Sequence, residues 1–294
     1  MATIKAFDPF VQTKLKNRKA LIRDFDSVEE MLKLKLNPVN GGTEVAFLFG
    51  DDVAKARGVD GDRRWRGDVS SIKEFGEMLH SGGWKAGSAK MTDSVGEISA
   101  PRVQSIRRRK VWKDDGDEID IHRVYAGDLE RAWESSERYL TSGQSRNARL
   151  WCQMGFTANY EPDQFFWRGA VACVMTDALE NAGYRVEIMG YHASVGTFSS
   201  GAVDWYTRVP IKGFMEPLDI PRVAAVTAHA GFFRSVIFGA MGAAPLKVSA
   251  GLGSTNHQRP EFVEEGDILV SNIYDENGAR NYLEEAMKQY GVES

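Results

Sequence analysis

With 294 residues, 43% hydrophobic and 11% aromatic, the chain can bury a substantial core as one large or two smaller domains. A net charge of −4 excludes a surface given over wholly to nucleic acid or anionic membrane, although it leaves local basic patches open. No apolar run reaches the ~18 residues of a membrane span, and a polar, charged amino terminus is not that of a signal peptide, so a bacterial cytoplasm is expected.

Residues 1–17 show no periodicity and read as an arm. Over 18–36, Leu21, Ile22, Phe25, Val28, Met31 and Leu32 predict helical structure interrupted near Asp26 and Ser27, where a new N-cap fits. A turn cluster at 37–42, a short apolar strand at 44–49 and a Gly/Asp/Arg-rich loop ending at Gly67 follow. A helix then opens at Ser70 or Ser71, buries Ile72, Phe75, Met78 and Leu79, and stops at Gly82 and Gly83.

Residues 102–125 predict a β-hairpin about Asp114-Asp115-Gly116-Asp117, since apolar residues alternate on both arms and Asp-Gly favours a tight turn. The first arm carries Arg107, Arg108, Arg109 and Lys110, and the turn and second arm carry Asp114, Asp115, Asp117, Glu118 and Asp120. Cross-strand pairing of those charges gives a solvated, salt-bridged ribbon; left unpaired, the basic arm becomes a nucleic-acid contact. A helix over 128–140 completes a smaller α+β region spanning 18–140.

The remaining residues, 141–294, predict an α/β core behind a linker at 141–147. Residues 149–157 form a buried strand, and Glu161, Pro162 and Asp163 begin a helix whose Phe166, Ala170, Val171, Val174, Ala178, Leu179 and Ala182 share one face. Gly183 stops it, and 184–192 returns as a parallel strand. Residues 203–212, separated from that strand only by a Gly/Ser-rich loop, are expected antiparallel at the sheet edge. Helices over 217–241, an irregular stretch over 242–266, a fourth strand over 267–274 and a helix over 276–290 close the chain. Cys152 and Cys173 read as buried free thiols, and the five histidines have no metal-ligand spacing.

This order of elements resembles a von Willebrand factor A-like domain, which implies a Rossmann-like three-layer core with an antiparallel edge strand. The chain also resembles a phage-encoded family of unknown function. That likeness rests on the arginine-rich hairpin with Ala126-Gly127-Asp128, on Arg168-Gly169-Ala170 before Tyr184-Arg185-Val186-Glu187, and on Pro217-Leu218-Asp219 before Phe232-Phe233-Arg234. It implies a viral or prophage origin and supplies no activity. Working A-type domains hold a divalent cation after the first strand through Asp-x-Ser-x-Ser, with a second acidic residue after the fourth. Here the loop is Gly155-Phe156-Thr157-Ala158-Asn159, without the leading Asp, so Thr157, Asn159 and Asp275 form at best a poor Mg²⁺ site and no cofactor is expected. The leading expectation is a non-catalytic phage protein acting by protein–protein contacts as an assembly factor or adaptor, in the host cytoplasm or the virion. The alternatives are a nucleic-acid binder and a divalent-metal-dependent binder.

Overall fold

The computed structural model describes residues 10–15, 18–34, 65–69, 72–97, 108–114, 118–138, 146–156, 160–198, 201–243, 248–250 and 259–290. In chain order these form strands β1 (Phe10–Leu15) and β2 (Arg18–Asp24), then helices α1 (Val28–Leu32), α2 (Ile72–His80) and α3 (Lys85–Glu97). Next come β3 (Arg108–Lys113), β4 (Glu118–Ile119), α4 (Ile121–Tyr125) and β5 (Trp133–Arg138). The predicted core follows as β6 (Asn147–Gln153), α5 (Pro162–Asn181), β7 (Arg185–Phe198), β8 (Gly201–Lys212) and α6 (Ile220–Thr227). A π-helical stretch (Phe232–Ile237) leads into α7 (Phe238–Gly242), then β9 (Val248–Ala250), β10 (Ile268–Val270) and α8 (Glu276–Gln289).

The main sheet is mixed, in the order β1-β2-β8-β7-β6-β10, with β9 paired to the far part of β7. Its centre is the predicted unit: β6 and β7 are parallel and joined by the crossover α5, and β10 adds parallel on the other side of β6. Strand β8 is antiparallel to β7, as its short connection requires, but it is not an edge, because β2 pairs parallel to it and β1 extends the sheet further. The first half of 18–36 is therefore a strand rather than a helix, and β1 lies within the predicted arm. Only the second half is helical, with Ser27 as the N-cap accepting from the Glu30 amide at 3.2 Å.

One face of the sheet presents Leu150, Cys152, Val186, Ile188, Trp205, Val209 and Leu21 to a core built with α1, α2, α5, α6, α7 and α8. The opposite face presents Trp151, Tyr191, Ala193, Tyr206 and Ala20, and among the described residues it is covered by the loop carrying Phe262 and Val263. Aromatic side chains with polar tips suit this partial cover: the Trp151 indole donates to Asp267 at 2.8 Å while its ring packs on Phe262 at 4.9 Å. Among the described residues no single helix is long and apolar enough to cross a membrane; the pair 220–227 and 232–242, bent by 55°, is buried in the core.

The predicted hairpin is replaced by a second sheet in the order β3-β5-β4. Strand β5 stands where the acidic arm was expected, and 121–125 and 129–131 are short helical turns. Asp120 caps α4, accepting from the His122 amide at 3.0 Å, instead of pairing across the ribbon. Within the expected helix over 128–140, residues 133–138 are β5, which lacks any helical apolar stripe.

Candidate functional site

Strand β6 ends at Gln153 and runs through Met154, Gly155 and Phe156, all buried, to the mouth of the sheet. There the strand order reverses between β6 and β10, which is where open α/β sheets present ligands. Arg168 lies two turns into α5, and burial of its flanking Phe165, Phe166, Ala170 and Val171 turns it into the core, leaving it 1% exposed. Its Nη1 donates to the Gly155 carbonyl at 2.8 Å, and its guanidinium carbon lies 3.4 Å from the Phe156 ring centroid. Its Nε and Nη2 have no hydrogen-bond partner among the described residues.

His192 on β7 meets the same glycine from the other side. A Cβ at Gly155 would stand 2.1 Å from His192 Nδ1, so a side chain at residue 155 would overlap the ring. Among the described residues both His192 ring nitrogens lack hydrogen-bond partners, and the ring packs against Phe233 at 5.1 Å. A second buried arginine, Arg234, comes from the π-helical stretch and donates to the carbonyls of Trp65 and Tyr160, with its cation 4.8 Å from the Phe165 ring. Phe156 packs on Phe165 at 4.0 Å, and Tyr160 stacks on Tyr274 at 4.9 Å and 7°, walling the site with rings.

Burial sets the electrostatics. It pushes the Arg168 guanidinium down to about 10, far enough above neutrality that the side chain stays charged. Burial, and then the charge on Arg168, hold His192 down to about 3, so its imidazole is neutral. Burial raises the Cys152 thiol to about 12 and Cys173 further, which leaves neither as a thiolate nucleophile. Both cysteines are free and buried, as the composition implied.

Of the three residues predicted for a cation site, Asp275 alone is among those described. Asp275 follows β10 as expected, but it serves as the N-cap of α8, accepting from the Gly278 amide at 2.7 Å. Thr157, Asn159 and Arg107 lie outside the described residues. Arg108, Arg109 and Lys110 fall in β3, in register with Arg138, Glu137 and Ser136 of β5. Replacing Asp275 by Ala is expected to cost ~1 kcal/mol through the lost cap, by urea unfolding, with the same loss in Mg²⁺ and in chelator.

Sequence reasoning quoted Arg168 and Arg234 inside its motifs but did not place them in a site. The signal was the apolar company each keeps: Arg234 lies in a run of buried residues, and Arg168 has buried Phe165, Phe166, Gly169 and Ala170 around it beside a half-buried Trp167. Gly169 has an equally physical reason: a Cβ there would stand 2.5 Å from Thr227 Oγ1 and 2.6 Å from Met91 Cε, so α5 can approach α6 and α3 only without one.

Fold and site together define a mixed α/β protein whose strand mouth is organised around a buried guanidinium. The chain belongs to the family described as a domain of unknown function, DUF7192, whose model matches residues 10–294. No curated protein and no solved structure matches it.

Proposed function

We propose that the chain is a non-catalytic phage protein that acts through protein–protein contacts, on a core of von Willebrand A type whose cation position is taken by Arg168. One observation supports the interaction reading most: Ile119 (44% exposed), Ile121 (57%), Tyr125 (86%) and Leu129 (62%) stand out of one short segment beside the small sheet. Large apolar side chains so concentrated favour a partner surface, because each loses contact with water when a partner covers it. The core reading is supported by the strand–helix–strand unit, the antiparallel β8 and the parallel β10.

A photo-crosslinking residue at Tyr125 tests the function. It is expected to give discrete protein adducts in producing cells, and the same residue at exposed Glu284 is expected to give none. Adducts equally abundant at both positions would remove the proposal.

A second reading, nucleic-acid contact through Arg108, Arg109 and Lys110, gains from the position of β3. Among the described residues its neighbour is β5 rather than the predicted acidic arm, and Asp120 of that arm caps α4. Nucleic-acid rather than protein adducts from Tyr125 would favour that reading.

A further inference from the structure

We propose that the cleft between α3 and the first turn of α5 binds a small organic ammonium ion, a primary amine or its methylated form. The cleft holds about 360 Å³, within the range of small-molecule sites, and shares no residue with the 119–129 surface. Its floor is apolar: Phe166 is 2% exposed and residues 228–230 are buried, while the half-buried Trp84 ring forms one wall. Trp84 is fixed in place. A Cβ at Gly87 would stand 2.0 Å from Trp84 Cε3, so the ring can fold back over α3 only because residue 87 is glycine. Its other contact is edge to face with His229, 4.7 Å between ring centroids.

The rim decides the charge. Asp68, Glu161 and Asp163 bring three carboxylates to the cleft, against the one ammonium of Lys90. Burial holds the His229 imidazole down to about 4, against the opposing charge of Asp68, so it adds no charge at neutral pH. The N-terminus of α5 would by its dipole favour an anion, but two of those carboxylates stand on its N-cap and first turn. Lys90 shows independently what the cleft accepts: its Nζ lies 4.7 Å from the Phe166 ring centroid and 3.5 Å from Asp163 Oδ1. A ring face and a carboxylate about one ammonium is the chemistry that recognises organic cations. Trp84, of the ring type that attracts cations most strongly, and Asp68 line the same cleft and offer that pair to a ligand.

The test follows the indole N–H resonances of the full chain while n-butylammonium chloride or sodium butyrate, of similar size and opposite charge, is added at constant ionic strength. The Trp84 resonance, identified by its absence from Trp84→Phe, is expected to shift saturably with butylammonium and to stay still with butyrate, while that of fully buried Trp205 responds to neither. Lys90 is half-exposed, so Lys90→Met keeps the fold. Removing a like charge ~6 Å from the ligand is expected to lower the half-saturating concentration about threefold. Asp68→Asn, which keeps a residue type tolerant of the positive φ of 66° there, is expected to raise it about threefold. A Trp84 resonance that stays still in both the wild type and Lys90→Met would overturn the proposal, as would an equal response to butyrate or a half-saturating concentration unchanged in either variant.

Discussion

Between pH 7 and pH 5 the protein is expected to lose about 4 kcal/mol of unfolding free energy, a large fraction of the stability of an ordinary domain. The cause is two buried imidazoles. His192 is held down to about 3 by burial and by Arg168, and His229 to about 4 by burial, against the opposing charge of Asp68. His229 Nδ1 accepts the Gly231 amide hydrogen at 2.9 Å, so protonating it also breaks a hydrogen bond. The unfolded chain takes up a proton on each near pH 6.5, and the folded protein does not until pH 4 or 3. Through that window the unfolded state binds more protons, so stability falls as pH falls. The expected slope is ~2.7 kcal/mol per pH unit between pH 6.5 and 4, and ~1.4 after His192→Gln or His229→Gln. Urea unfolding at half-unit pH intervals measures it; stability unchanged from pH 7 to pH 5 would show that neither imidazole is buried neutral.

Gly155→Ala is expected to cost ~3 kcal/mol, at the upper end of what overpacking a core usually costs. The added methyl would overlap His192, whose ring is fully buried against Phe233 and has little room to turn away. The backbone there is not left-handed, so the cost comes from contact rather than torsion. That distinction is measurable. The double variant Gly155→Ala, His192→Ala should be no less stable than His192→Ala alone, giving a coupling of ~3 kcal/mol in a thermodynamic cycle. Additive costs would place the strain elsewhere.

The part of this fold that was readable in sequence is the part whose partners lie close along the chain. The β6-α5-β7 unit announces itself through Pro162 at the helix start, the apolar face of α5 and the stop at Gly183, which has a φ of +87°. Asp219 caps α6 as the start of that helix, whereas Asp275, which caps α8, was read in the sequence only as a candidate cation ligand. Strand β2 was not legible. Leu21 and Ile22 sit in a run short enough to be helix or strand, and what decides is pairing with Trp205 and Tyr206, far along the chain. The hairpin failed similarly, because an Asp-Gly turn fixes local direction while β5 displaced the neighbouring arm. Helix α3 was missed because Met91 is its one well-buried large apolar residue among those described. The site was hidden by a rule that usually holds: arginines are taken for surface residues, and these two are enclosed.

Isothermal titration of the folded protein with Mg²⁺, Mn²⁺ and Ca²⁺, in parallel with Asp275→Ala, tests most directly whether the strand mouth is organised around Arg168 rather than a metal ion. The expected result is no saturable heat for any of the three ions with either protein. Saturable binding to the wild type that is lost in Asp275→Ala would contradict it, and would restore the carboxylate to a metal-binding role.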